Sequence, residues 1–225
     1  MVNDKEKGWW NEVNHLKIKW IDKYVPNNKN LNILDLAAGK GWYSKYLAKK
    51  GHFLTSVDQE IQFESKDNIL QKKVNLEKKL PFDNESFDFV IAWDIIEHIK
   101  NEEKLIKEIG RVLKPKGNVL VSVPHADDSK LTKVHLTYSH FKDKTHQREY
   151  TPIMLRKHFE TCGFNPIKIK LQGGDAYPYL LKEFVPYKFW KIIVHAFIKF
   201  LRVFSIVRVD NCHGDVFAIF KKEVE

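Results

Sequence analysis

Two aspartates, each closing an apolar run, have the spacing of a nucleoside-binding site. Asp35 ends the run that begins at Leu31, and Asp58 ends the run FLTSVD. A carboxylate at the end of the second run can accept hydrogen bonds from both hydroxyls of a ribose. A carboxylate at Asp35 would repel a pyrophosphate but suits a ligand that carries an ammonium and a sulfonium. The two acids therefore predict a nucleoside ligand that is positively charged at one end.

Small residues follow Asp35 in the stretch LNILDLAAGKG. Gly39 and Gly41 let the backbone approach a ligand that a Cβ would keep away. The dinucleotide fingerprint GxGxxG fits poorly, because Ser44 stands at its third glycine. The next segment, GWYSKYLAKKG, predicts a helix that points its first N–H groups at this loop and ends at Gly51.

Four motifs in this order resemble the class I S-adenosylmethionine (SAM) dependent methyltransferases, in particular their type 11 group. They are ILDLAAGKGWYS, VDQE, VNLEKKLPFDNESFDFVIAWDIIEHI and RVLKPKGNVLVSVP, and the resemblance covers residues 31–172. It implies a SAM-dependent enzyme. One departure is Ala37, where the family usually has glycine, and its methyl group would shift the methionine end of the cofactor.

The resemblance also implies which residues contact the cofactor. Asn75 stands where the family commonly has an acid that contacts adenine, and an amide can still bond the adenine edge. The implied contact residues are Asp35, Ala37, Gly39, Gly41, Asp58, Gln59, Asn75, Leu76, Trp93 and Asp94.

The elements that must position these residues alternate between apolar runs and amphipathic segments. This predicts an α/β fold, a Rossmann-like and mostly parallel seven-stranded sheet flanked by helices, with a helical insertion between the last two strands. The third strand is predicted to end at Asn75 and Leu76, the second helix to be stunted, and the fourth helix to start at Ile95. The length of 225 residues fits one domain. We divide it into an N-terminal helical cap (1–30), a core (31–172), the insertion (173–213) and the last strand (214–225).

An amphipathic helix is predicted over residues 8–25. Its apolar positions are Trp9, Val13, Leu16, Trp20 and Tyr24, with His15, Lys17 and Lys19 elsewhere. Two interpretations remain open: the helix covers the substrate pocket, or it simply packs on the sheet.

The insertion contains a long apolar stretch at 184–207. Its cations and its histidine recur every three or four residues and form one stripe on a helix: Lys188, Lys191, His195, Lys199 and Arg202. Cations at every turn disfavour a transmembrane span. An interfacial helix with basic residues at headgroup level fits the pattern. A helix packed on its own domain, or on the partner of a homodimer, fits it equally.

Composition limits the binding partners and the cellular compartment that we expect for the protein. The net charge of +9 favours an anionic partner, which leaves nucleic acid, a phosphorylated substrate or an acidic membrane surface. Cys162 and Cys212 lie far apart in sequence and do not predict a disulfide framework, and the charged, tryptophan-rich first thirty residues do not predict a signal peptide. We expect a cytoplasmic protein, peripheral at the membrane if 184–207 binds one.

Methyl transfer to a hydroxyl requires alignment and the removal of a proton. His98, His125 and His146 are the candidate bases, because the carboxyl edge of an α/β sheet is where ligands bind. The competing interpretation of His98 is a residue at a helix start that bonds local backbone.

A metal site is the alternative for the same region. Asp94, Glu97, His98 and His146 could bind a divalent ion, and the DxxEH spacing resembles the ExxEH of small-RNA 2′-O-methyltransferases and some quinone-pathway enzymes. Members of the wider family with the same Glu-His pair lack a metal, so both readings stay open.

The acceptor is indicated by DKTHQREYTP, which resembles a DxTHxRxxT stretch of type 11 enzymes in glycan and cell-envelope assembly. We therefore expect transfer to a hydroxyl of a small molecule, a saccharide or a lipid-linked glycan. The alternatives are a metal-assisted RNA ribose 2′-O-methyltransferase and a non-catalytic binding subunit with the SAM fold.

Overall fold

A computed structural model describes residues 14–27, 30–64, 68–127, 143–172 and 214–223, and the backbone of 136–137 and 179–180. Its strands in chain order are β1 (Asn32–Leu36), β2 (Phe53–Asp58), β3 (Ile69–Lys73), β4 (Phe87–Trp93), β5 (Leu113–Pro124), β6 (Leu136–Thr137), β7 (Phe164–Gln172), β8 (Tyr179–Leu180) and β9 (Asp215–Lys222).

Seven of these strands form one sheet in the order β3-β2-β1-β4-β5-β9-β7. β1 to β5 pair in parallel, while β9 runs antiparallel between β5 and β7. The predicted Rossmann-like, mostly parallel seven-stranded sheet is confirmed. Because the first five strands are parallel, their carboxyl ends meet at one edge, and Asp35, Asp58 and Asp94 all lie there.

Four α-helices are described: α1 (His15–Tyr24), α2 (Trp42–Lys49), α3 (Glu102–Val112) and α4 (Pro152–Glu160). The Asn14 side chain caps α1 by accepting from Leu16 N at 2.9 Å. Ile18 and Ile21 of α1 are buried against the sheet. Trp9 and Val13 of the predicted helix lie outside the described residues.

The predicted helix start at Ile95 is wrong. Ile96–His98 form only a 3₁₀ turn, because Ile99 has an extended backbone with a ψ of 127° that a helix cannot continue through. Asn101 then caps α3 by accepting from Lys104 N at 3.0 Å. His98 therefore precedes the helix and lies beside the carboxyl edge of β4.

Two strand bounds also differ from the prediction. β3 ends at Lys73, because Asn75 accepts from Glu77 N at 2.9 Å and turns the chain. β5 begins at Leu113, so Pro115 and Gly117 lie inside it, where the register with β4 shifts. The helix predicted to be stunted lies between β2 and β3 and is not α2. In the described part of that connection, residues 59–64 and 68 contain no helix, which confirms the prediction there.

The core lies on both faces of the sheet. Ile33, Phe89 and Ile91 pack towards α1 and α2. On the other face, Val90 and Val121 join α3 and α4 in a second cluster, where Phe159 stacks on Phe220 at 4.1 Å between ring centroids. With both faces covered, the carboxyl edge is left for the site.

Of the insertion, only the backbone of β8 is described, antiparallel to β6, so the predicted insertion is not wholly helical. Within the described ranges, no helix is long and apolar enough to span a membrane. Residues 184–207 lie outside those ranges, and the interfacial helix stays a prediction.

Candidate active site

The loop after β1 is organised by a buried carboxylate. Asp35 is 2% exposed, and its Oδ2 accepts from Ser44 Oγ at 2.6 Å. Ser44 Oγ also lies 2.6 Å from Ser56 Oγ of β2. Burial, opposed by the Ser44 bond and reinforced by the nearby Asp58, raises the pKa of Asp35 to about 6. Ser44, which stands at the third glycine of the dinucleotide fingerprint, is thus the residue that bonds Asp35.

The other end of the loop is tied to Asp58. Asp58 Oδ2 accepts from Gly39 N at 2.8 Å, and Ala38 N donates to Val57 O at 3.1 Å. Ala37 has a φ of +56°, a conformation that glycine adopts more easily. Asp58, the predicted ribose ligand, therefore also shapes the loop.

Gly41 shows why the loop needs a residue without a side chain at that point. It is the N-cap of α2 with a φ of +69°, and a Cβ there would lie 2.4 Å from the ring of Phe63. Phe63 comes from the connection after β2, whose described residues contain no helix, and Gln71 Nε2 donates to the Phe63 carbonyl oxygen at 2.9 Å. The shortened connection thus covers the start of α2.

Gln59 and the predicted adenine contacts Asn75 and Leu76 lie in the turns after β2 and β3. Gln59 and Asn75 are exposed, whereas Leu76 is 4% exposed. The carbonyl oxygen of the Asn75 side chain already bonds Glu77 N. Any contact from Asn75 to an adenine therefore uses its remaining hydrogen-bonding capacity.

At the end of β4, Asp94 holds a buried lysine. Lys17 of α1 is 6% exposed, and its Nζ donates to Asp94 Oδ2, while Ser122 Oγ donates to Oδ1. The ammonium lies 5.7 Å from the ring centroid of Trp93 and 5.9 Å from that of Tyr43. Burial alone would lower the pKa of Lys17, but Asp94 leaves it above its usual value.

Lys17 is a site residue that the sequence analysis missed, since it was placed off the apolar face of its helix. No sequence signal marks it, because its partner is 77 positions away. Through Lys17, α1 reaches the carboxyl edge of the sheet, as expected if this helix covers the substrate pocket.

Two further carboxyls surround this ion pair. Asp215, at the start of β9, has its pKa raised to about 7 by burial and then by Asp94, against the effect of Lys17. Glu97 is fully buried, and neither of its carboxylate oxygens has a hydrogen-bond partner from another described residue. Burial, and then Asp94, hold the pKa of Glu97 well above its usual range. The sequence analysis also missed Asp215. Its position as an acid at the start of the last apolar run could have indicated it.

The structure brings together two of the three candidate bases. The rings of His98 and His146 are 4.7 Å apart between centroids and 73° apart in plane. Burial and the neighbouring His98 lower the pKa of His146, which favours a neutral imidazole. The third candidate, His125, follows β5 and is 8% exposed; its N donates to Gly214 O at 2.9 Å, and it pairs with Tyr150.

The same histidines form the described group of possible metal ligands. One donor atom each from Glu97, His98 and His146 lie within 4.8 Å of one another. Asp94, the fourth residue of the predicted set, is engaged by Lys17 instead. An imidazole pair with a carboxylate that lacks partners is a donor set that suits a divalent ion.

The segment 143–150, which supplies His146, is bonded to the 3₁₀ turn and to the residues that follow it. Gln147 N donates to Glu97 O at 2.8 Å, and Arg148 Nη2 donates to Lys100 O at 3.0 Å. Thr145 Oγ1 lies 2.9 Å from His98 Nδ1. This segment is a wall of the site in the structure.

A family model described as a methyltransferase domain matches residues 9–169. A ubiquinone biosynthesis O-methyltransferase of Coxiella burnetii is 26% identical over 137 residues, which cover 53% of this chain and 58% of that protein. The chain thus spans little more than half the length of the curated relatives it matches.

Solved structures agree on the fold. A chain from the complex between the Haloferax volcanii Trm112 methyltransferase activator and a methyltransferase aligns with a TM-score of 0.66 at 16% identity, covering 92% of this chain and 89% of that one. Phosphoethanolamine N-methyltransferase 2 of Haemonchus contortus, in complex with S-adenosyl-L-methionine, aligns with a TM-score of 0.62 at 18% identity, covering 93% and 53%. At these identities the likeness shows the shared fold alone.

Proposed function

Because this chain belongs to the methyltransferase-domain family, we propose that it is an enzyme that transfers a methyl group from SAM to a hydroxyl of a small molecule, a saccharide or a lipid-linked glycan. The cofactor of the reaction is SAM, which supplies an electrophilic methyl group on a sulfonium. The observation that carries the proposal is the histidine pair at the carboxyl edge, near Asp94, which follows β4.

The donor chemistry of the edge fits this cofactor. Asp35 and Asp94 supply negative charge for the ammonium and the sulfonium, and Asp58 supplies the acceptor oxygens for the ribose. Gly39 leaves open space, since a Cβ added there would meet nothing within 4 Å. Asn75 and Leu76 follow β3 on the side assigned to adenine.

Lys17 completes the amino-acid end of this binding site. The α-carboxylate of SAM needs a cation, and Lys17 is held between Asp94 and the rings of Tyr43 and Trp93. A lysine beside two acids offers complementary charge to both groups of an amino-acid zwitterion. We assign Lys17 to the carboxylate and Asp35 to the ammonium.

The histidines serve the acceptor. Bound SAM, held by Asp35, Asp58 and Lys17, would supply an electrophilic methyl group to the acceptor oxygen, with its neutral thioether as the leaving group. The hydroxyl proton then passes to an imidazole nitrogen of His98 or His146. A neutral imidazole at working pH is suited to accept it.

An oxygen acceptor is favoured by the Coxiella burnetii relative, whose name specifies O-methyl transfer. The DKTHQREYTP segment, which supplies His146 to the site, supports a saccharide hydroxyl through its resemblance to enzymes of glycan assembly. The acceptor screen therefore begins with saccharides, lipid-linked glycans and phenols.

The test has two stages. Calorimetric titration with SAM and with its demethylated product should give micromolar dissociation constants. Labelled SAM should then transfer its methyl group to an extracted-lipid, nucleotide-sugar or phenol panel. Cofactor binding without turnover on any panel would favour the non-catalytic binding subunit, and labelling of RNA alone would refute the small-molecule acceptor.

A metal-assisted RNA ribose 2′-O-methyltransferase is the second candidate, favoured by the group Glu97, His98 and His146 and by the net charge of +9. Those three residues would hold a divalent ion, which would supply Lewis-acid polarisation of the acceptor hydroxyl. Elemental analysis of the purified protein and RNA binding that weakens with salt would support it. Full activity in chelator would exclude it.

A further inference from the structure

We propose that Asp143 and Thr145 are positioning residues that fix the tautomer of His98, so that its Nε2 carries the free lone pair. This inference rests on the proposed function, in which His98 serves the acceptor hydroxyl. Its structural basis is one hydroxyl bonded on both sides: Thr145 Oγ1 lies 2.6 Å from Asp143 Oδ1 and 2.9 Å from His98 Nδ1.

The direction of these bonds follows from counting protons. A hydroxyl has one hydrogen to donate, and an ionised carboxylate can only accept. The Thr145 hydrogen therefore goes to Asp143, which leaves only oxygen lone pairs facing His98. Nδ1 of His98 must then carry a hydrogen and donate it, so in the neutral ring Nε2 is the acceptor.

Asp143 is arranged to stay ionised. It accepts from Thr145 twice, at 2.6 Å from the hydroxyl and at 2.9 Å from the backbone N–H. These bonds hold the pKa of Asp143 below its usual value. Its other oxygen lies 3.6 Å from His146 Nε2, so one carboxylate faces both histidines.

The positions of the two segments are also fixed. The bonds from Gln147 to Glu97 and from Arg148 to Lys100 tie residues 143–150 to the turn that carries His98. The hydroxyl thus meets Nδ1 without a long flexible side chain between them. When Nε2 accepts the substrate proton, the ring becomes a cation with both nitrogens protonated, and Nδ1 keeps its bond to Thr145.

The test uses Thr145→Val, which removes the hydroxyl at similar volume, and Thr145→Ser, which keeps it. ¹⁵N NMR of histidine-labelled protein reports the tautomer, with His98 assigned by its loss in His98→Gln. We expect Thr145→Val to shift the neutral His98 towards the Nε2–H form, and Thr145→Ser to keep the native form.

Turnover should follow the tautomer. We expect Thr145→Val to lower kcat roughly 10–100-fold, with the KM for SAM unchanged and Thr145→Ser close to wild type. Asp143→Asn should weaken the same tautomer preference. An unchanged His98 tautomer in Thr145→Val, or equal damage by both Thr145 variants, would overturn the inference.

The NMR readout needs no acceptor, and SAM titration of the same samples tests cofactor binding by itself. If Thr145→Val shifts the His98 tautomer while His98→Gln keeps full turnover, the positioning role of Asp143 and Thr145 stands and the assignment of His98 as the base fails.

Discussion

The cofactor side and the acceptor side of this edge are built in different ways. The cofactor side, Asp35 to Asp58, is stabilised by bonds between residues 9 to 19 positions apart, such as Ser44 to Asp35 and Gly39 to Asp58. The acceptor side joins Lys17 to Asp94 and Thr145 to His98, across 77 and 47 positions. The first is one continuous supersecondary unit, while the second depends on the docking of α1 and of residues 143–150. Changes on the first side should therefore act on cofactor binding, and changes at the histidines of the second side on turnover, while Lys17 and Asp94 connect the second side to the cofactor.

The largest effect is expected on the acceptor side. His98→Gln removes the ring that lies against His146, and we expect kcat to fall roughly 10²–10⁴-fold because general-base catalysis is lost. The dissociation constant for SAM, measured by calorimetry, should stay within about twofold of wild type. A parallel loss of cofactor affinity would break the division between the two sides.

The pH dependence of stability tests the cofactor side. The folded-state pKa of Asp35 is raised to about 6 from 3.8, so its contribution is fully present below pH 3.8 and is lost as pH rises through 6. We expect a loss of up to about 3 kcal/mol in the free energy of unfolding across this range. Urea unfolding of wild type and Asp35→Asn, from pH 4 to 7.5, measures it.

Asp35→Asn serves as the matched control, because an amide of the same shape has no titration. Its stability should be flatter with pH, and its affinity for cationic SAM should be lower at pH 7.5. Equal pH slopes in the two proteins would show that another group carries the effect.

Asp58→Ala should weaken SAM binding by about 1.5–3 kcal/mol, which is roughly tenfold or more in the dissociation constant. The variant loses the acceptor oxygens for the ribose and the bond to Gly39 N. Calorimetry with SAM and with its demethylated product should show equal losses, since both carry the ribose. Unchanged affinity would remove Asp58 from the cofactor site.

Lys17→Met tests a point at which the acceptor side reaches the cofactor. We expect roughly a tenfold loss for ligands that carry the α-carboxylate, because a charge-assisted bond is lost. Binding of 5′-methylthioadenosine, which lacks that carboxylate, should be unchanged. Equal weakening of both ligands would instead indicate that Lys17 only holds α1 in place.

The smallest expected effect concerns the loop conformation. Ala37→Gly should raise the free energy of unfolding by about 0.5–1 kcal/mol, because glycine adopts a φ of +56° without strain. Gly39→Ala is the reverse change at a φ of +51° with open space around the Cβ, and it should lower stability by a similar amount. Thermal unfolding of the pair would contradict the strain argument if both changes had the same sign.

Much of the fold could be predicted because strands and helices have local periodicities. The seven strands of the main sheet, the loop after β1 and the helix predicted to be stunted after β2 all follow from runs of fewer than twenty residues. Element ends were less predictable: Ile99 turns out of the helical region, and Asn75 and Asn101 redirect the chain through side-chain bonds to nearby backbone.

The sequence by itself determined the α/β sheet, the small-residue loop between Asp35 and Gly41 and the acid at Asp58, because each is written within one short segment. Only the tertiary structure decided that Lys17 is buried against Asp94, that Asp215 lies beside this pair, and that His98 meets both His146 and Thr145. The physical reason is that the charge state, tautomer and burial of a side chain depend on the distant groups that the fold brings next to it. The local periodicity of the sequence does not specify those groups.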